Sequence, residues 1–177
     1  IIANTDAAET ALTSSIVSAQ AALTQANMDG SYVAGTSSDL AAALTASFTA
    51  TTFGARISIT NNDYTTAELK TINAATTGEI VLHTTDTALS GTSGDLSVAL
   101  SGTINYTGAV TITNADYTVA QLKLINNGTS GNITFSTPGT ALSDTAANLA
   151  VALAGTSNYS GAVTITDAPS VTELKTI

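Results

Sequence analysis

A string close to "GAVTITNADYTVAQLKLI" occurs three times in this chain: as quoted from Gly108, as "GARISITNNDYTTAELKTI" from Gly54, and as "GAVTITDAPSVTELKTI" from Gly161. Gly54 to Gly108 is 54 residues, while Gly108 to Gly161 and Gly78 to Gly131 are each 53, so the period is about 53. A second string fills the gaps, "GEIVLHTTDTALSGTSGDLSVALSGTINYT" from Gly78 and "GNITFSTPGTALSDTAANLAVALAGTSNYS" from Gly131. Each period thus holds two half-repeats, a first kind and a second kind. "SYVAGTSSDLAAAL" from Ser31 matches the helical part of the second kind, which starts the array near Gly30. A fixed period restricts a chain to architectures in which each unit covers its neighbour, because one such unit cannot bury its apolar face alone.

Two local signals recur in every copy. After the opening glycine, apolar residues alternate at Ile57 and Ile59, Ile80 and Leu82, Val110 and Ile112, Ile133 and Phe135, and Val163 and Ile165. Period two over so short a span predicts a strand with one buried face. Then comes Ser or Thr, two residues, an acid or amide, and leucine. This arrangement runs from Thr36 to Asp39, Thr65 to Glu68, Thr92 to Asp95, Thr118 to Gln121, Thr145 to Asn148 and Ser170 to Glu173. These are six capping-box patterns: the hydroxyl accepts from a first-turn N–H, and the acid or amide reaches back to the cap residue. Tyr64 and Tyr117 stand just before their caps, placed to pack on Leu69 and Leu122 as hydrophobic staples.

Strand, helix and strand in one sheet make the strands parallel and the crossovers right-handed. The expected fold is an α/β repeat: a right-handed β-α solenoid with one parallel sheet, short helices on one face and an N-terminal capping helix. A triangular β-helix with shorter helical turns is the competing fold. Residues 1–29 form a separate segment and residues 30–177 the array. In the former, Asp6 and Glu9 open a stripe of Ala8, Leu12, Ile16, Ala19, Leu23 and Ala26, the spacing of an amphipathic helix. It serves either as a cap on the first coil or as a contact for another chain. The chain begins at Ile1 without methionine and stops at Ile177, where earlier copies continue as "NAATTG" and "NNGTSG". The expectation is a segment of a longer repeat protein, its final strand covered by further repeats of the same chain or by head-to-tail docking of another copy into a filament.

Composition narrows the partners. Lys plus Arg number 4 against 13 for Asp plus Glu, a formal charge of −9, which argues against nucleic acid because phosphate binding needs clustered cations. No apolar run approaches the roughly 18 residues of a spanning helix, so no membrane insertion is expected. The absence of cysteine removes disulfides and thiolate chemistry.

Candidate chemistry is sparse. His83 is the single histidine, on a strand between outward-facing neighbours, and no G-x-S-x-G elbow accompanies it. The expectation is therefore not an enzyme, with no catalytic, cofactor-binding or metal residue. Calcium held by Asp63, Asp86 or Asp116 at the turns is the one cofactor alternative. Asn105, Asn127, Asn132 and Asn158 begin N-x-[ST] triplets, which matter only in a glycosylating host. The outward strand face carries the one surface pattern: Ser58, Val81, Thr111, Thr134 and Thr164 in a central rank, and Thr60, His83, Thr113, Ser136 and Thr166 in the next. The candidate surface or assembly face is thus Thr111, Thr113, Thr134, Thr164 and Thr166. Such ranks on a flat solenoid resemble those of ice-binding proteins, which makes ice binding the alternative function.

The strings "ITDAPSVTELKTI", "ALSDTAANLAVALAGT" and "YTGAVTITNAD" resemble repeat segments of very large secreted or cell-surface proteins of bacteria, especially marine unicellular cyanobacteria. The similarity covers roughly residues 30–177. What it implies is an extracellular or cell-surface location and a structural or adhesive role, as a segment of a surface layer, fibre or adhesin, with no catalytic residues to carry over.

Overall fold

The computed structural model describes residues 32–47 and 53–177, together with Ser14, Val17, Ser18 and Ala21. Those four isolated positions are helical and exposed, whereas the stripe from Ala8 to Ala26 expected as a capping helix lies outside the described residues. The chain is mixed α/β. In order it forms β1 (Val33–Gly35), α1 (Ser37–Ser47), β2 (Ile57–Ile59), α2 (Thr66–Ala75), β3 (Ile80–Leu82), β4 (Leu89–Gly91) and α3 (Ser93–Ser101). It continues with β5 (Thr103–Ile104), β6 (Val110–Ile112), α4 (Val119–Gly128), β7 (Ile133–Phe135), β8 (Leu142–Asp144), α5 (Ala146–Leu153), β9 (Val163–Ile165) and α6 (Val171–Thr176).

All strand pairs are parallel, but the expectation of one sheet is corrected: among the described residues there are three, ordered β1-β2-β3-β5, β4-β6-β7 and β8-β9. The reason lies in the second-kind half-repeat. Ile80 is 12 residues from its cap Thr92, against eight from Ile57 to Thr65, and the extra chain supplies a second strand before the helix. The first strand of that half-repeat, β3, pairs with β2 behind it, while β4 pairs with β6 ahead, so the sheet steps sideways once per period. The second-kind half-repeat also closes on itself, β3 pairing with β5 and Ile133 bridging to Thr156. First-kind strands have no such internal partner. Instead, β2 and β6 lie between strands of the two flanking half-repeats.

The helices follow the caps. At Thr65, Thr92, Thr118, Thr145 and Ser170 the hydroxyl accepts from the N–H three residues on, and Thr36 Oγ1 accepts from Asp39 N–H at 3.2 Å. The reciprocal half of the box is present at Glu68, Gln121 and Glu173, all in first-kind helices. In second-kind helices the third position is Asp or Asn, one methylene shorter, and in two of them it turns elsewhere: Asp95 meets Lys70, and Asn148 meets Lys123 and Asp144. Consecutive helices contact one another in chain order from α1 to α6.

The core sits between helices and strands. Ile57, Ile59, Leu69, Ile72, Ile80, Leu96, Val110, Ile112, Leu122, Ile125 and Ile133 are all fully enclosed. The opening glycines are set by close backbone approach. A Cβ at Gly78 would lie 2.1 Å from Ala55 O, and one at Gly131 would lie 2.1 Å from Gly108 O, so any side chain forces neighbouring turns apart.

Candidate functional site

The outward strand face and the junctions between half-repeats are the two patterned surfaces. On the first, Thr111 and Thr134 are direct register partners with hydroxyls 3.2 Å apart, and Thr134 Oγ1 also donates to Val110 O at 3.3 Å. Ser90 completes that rank on the other side of Thr111. Thr113 is exposed just past β6, its N–H donating to Gly91 O at 2.9 Å. Thr164 lies in the two-stranded sheet beside Ser143, and Thr166 N–H donates to Asp144 O at 3.0 Å. The structure therefore brings Thr111 and Thr134 together, keeps Thr113 on the same strand line, and places Thr164 and Thr166 on a separate sheet. Ser58 pairs with Val81, which pairs in turn with Ile104 rather than Thr111. His83 is exposed, with its N–H donated to Ile59 O at 2.9 Å.

The junctions are denser in specific contacts. Where a first-kind unit follows a second-kind helix, Asn114 Oδ1 accepts from Ser93 N–H at 2.7 Å and its Nδ2 donates to Ser93 Oγ at 3.0 Å. Ser93 Oγ donates onward to Gln121 Oε1 at 2.9 Å. One period earlier Asn61, Ser37 and Glu68 repeat the arrangement, with distances of 2.8, 3.0 and 3.0 Å. One period later Asp167 Oδ1 takes the N–H of Ala146 at 2.9 Å. Each second-kind helix is thus capped twice, by its own threonine and by an amide or acid from the next unit. This satisfies another of the N–H groups that a helix start leaves unpaired. The signal for these residues was present in the sequence as "ITNN", "ITNA" and "ITDA" directly after each first-kind strand, but their partners lie 21 to 24 residues away in the preceding unit.

Where a second-kind unit follows a first-kind helix, the tyrosine before the cap reaches across. Tyr64 donates to Thr84 O at 2.7 Å and Tyr117 to Thr137 O at 3.0 Å, and both rings are buried in the core. Tyr106 and Tyr159 tie the second-kind turns, donating to Thr87 O at 2.8 Å and Thr140 O at 2.7 Å. Burial pushes the hydroxyls of Tyr64, Tyr106 and Tyr159 above their ordinary range. Lys70 meets Asp95 at 2.5 Å and Lys123 meets Asn148 at 2.5 Å, both between adjacent helices.

The acids are held singly. Asn61 Nδ2 donates to Asp63 at 2.7 Å. Asn114 Nδ2 donates to Asp116 at 2.6 Å and lowers that carboxyl, as Lys70 lowers Asp95, Asn148 lowers Asp144 and Ser170 lowers Glu173. Among the described residues no group of three or more His, Cys, Asp or Glu side chains is placed to hold a metal ion, and no helix is long and apolar enough to cross a membrane. A shallow depression between α3 and α4 is lined by Leu100, Asn105, Tyr106, Leu124 and Asn127. Asn105, at φ 56, occupies the left-handed backbone region that asparagine tolerates better than most residues. No protein-family model, curated protein or solved structure matches the chain.

Proposed function

We propose that this chain is a non-enzymatic, extracellular structural repeat module: a length of right-handed β-α solenoid serving as a spacer or assembly unit in a bacterial surface layer, fibre or adhesin. The observation that carries the reading is where the recurring polar residues are used. Caps, cross-junction amides, tyrosine hydroxyls and bridging threonines make backbone or neighbour-to-neighbour bonds, and the one histidine, His83, is exposed just past β3. Parallel strands and helices that meet in chain order are what a solenoid requires. Partners are then further repeats of the same chain or other copies of it, stacked end to end. The surface location rests on the resemblance of its repeats.

Purified protein is expected to leave glycosidic, peptide and phosphate substrates intact, and antibody raised against it to label unpermeabilised cells of the source organism. Hydrolysis abolished by His83→Ala, or labelling only after permeabilisation, overturns the reading. A second reading, ice binding, is favoured by the Ser90-Thr111-Thr134 rank with its paired hydroxyls. It requires thermal hysteresis that disappears in Thr111→Leu with Thr134→Leu.

A further inference from the structure

We propose that the face formed by β9 and α6 is a docking surface specific for one occupant, a strand-helix unit of the second kind with the chemistry of Gly131–Gly155. The inference rests on the reading of the chain as stacked units and adds which unit this surface accepts. Val171 and Leu174 are 71% and 52% exposed, whereas their counterparts Val119 and Leu122 in α4 are 6% and 0% exposed. In β9, Val163 and Ile165 are half-buried, and the matching Val110 and Ile112 are enclosed.

The occupant is identified by the two places in this molecule where the same face is covered. Both β2 and β6 receive the first strand of a second-kind unit, β3 and β7, and both α2 and α4 receive its helix, α3 and α5. Each covered helix also offers a lysine to the third residue of the incoming helix, Lys70 to Asp95 and Lys123 to Asn148. Lys175 stands exposed at that position of α6. A first-kind unit fits poorly here. Its Asn and Glu or Gln are shaped to meet the N-terminus of a second-kind helix, as Asn114 and Gln121 meet Ser93, and the face offers no such N-terminus. Pro169 stands where Tyr117 would tie the next turn, so affinity here depends on the strand edge, the apolar pair and Lys175.

The test extends the chain past Ile177 in two ways. One fusion repeats Asn126–Gly155, which supplies the connecting residues and a second-kind unit. The other joins the same connector, Asn126–Ser130, to the first-kind unit Gly108–Ile125. The reporter is hydrogen exchange at the Val163 amide, whose counterpart Val110 donates to Asn132 O at 2.9 Å. The second-kind fusion is expected to slow that exchange at least about tenfold, the mark of a newly protected amide, with a rise in helix content and thermal midpoint. The first-kind fusion is expected to leave Val163 exchange unchanged. Val171→Asp in the second-kind fusion is expected to restore fast exchange while the Ser170 cap remains. Equal slowing in both fusions, slowing in neither, or a Val163 amide already protected in a dimer of the unextended chain overturns the proposal. Hydrolysis or intracellular labelling would instead overturn the structural-module reading, whatever the fusions show.

Discussion

Thr118 and Thr113 are five residues apart and do different things. Thr118 Oγ1 accepts from Gln121 N–H and Thr118 N–H donates back to Gln121 Oε1, whereas Thr113 is exposed past the end of β6. Thr118→Ala is expected to destabilise by about 1 kcal/mol, the usual loss for a hydroxyl cap, and Thr113→Ala by less than about 0.5 kcal/mol, both read from urea unfolding midpoints. The tyrosines predict a pH dependence. Burial holds Tyr64, Tyr106 and Tyr159 protonated above the ordinary value of 10.0, so past about pH 10 the folded state binds more protons than the unfolded chain. Their contribution is complete below that pH and is lost as pH rises through the folded-state values. The thermal midpoint is expected to hold to about pH 9.5 and fall beyond it, and Tyr106→Phe is expected to flatten that fall. The same substitution costs about 1 kcal/mol at neutral pH because the bond to Thr87 O is lost.

At the scale of elements, equivalent positions in different copies separate burial from sequence. Leu122→Ala, in a fully enclosed site, is expected to cost about 2–5 kcal/mol. Leu174→Ala, at 52% exposure, is expected to cost under about 1 kcal/mol. Equal costs in denaturant titration would mean that α6 is packed as α4 is. The helix starts were legible in the sequence because a cap is a local motif; all six hydroxyls accept where the spacing placed them. The inward residues of β2, β3, β6 and β7 were legible from alternation and are buried. What stayed hidden is non-local or lacks an alternating pair. β4 and β8 each bury a single apolar residue, Leu89 and Leu142, and end at Gly91 and Asp144, so no period shows, and their presence divides the expected single sheet. The reciprocal half of the cap was not legible from spacing alone: side-chain length separates Glu68, Gln121 and Glu173, which complete it, from Asp95 and Asn148, which meet other partners. Of the threonine ranks, Thr111 with Thr134 was legible; the break before Thr164 follows from β7 pairing toward Thr156 while β8 takes up β9.

Across the whole molecule, the bonds that join one half-repeat to the next are mostly uncharged: Asn114 with Ser93, tyrosine hydroxyls with carbonyls, Thr66 with Ser90 O. Lys70 with Asp95 is an exposed ion pair among them, of a kind that solvent screening leaves with little net effect on stability. The chain as a whole meanwhile carries a formal charge of −9. Ionic strength therefore acts on this molecule in an unusual balance. Screening shortens from about 30 Å at 0.01 M salt to roughly 3 Å at 1 M, which leaves neutral junctions untouched and relieves the repulsion of the excess carboxylates. A stack fastened by ion pairs would loosen in brine; this one is expected to gain. Between about 0.01 and 0.5 M sodium chloride the thermal midpoint is expected to stay level or rise by a few degrees, and a fall of more than about 5 °C would show that charge, not the amide and hydroxyl junctions, holds the stack together.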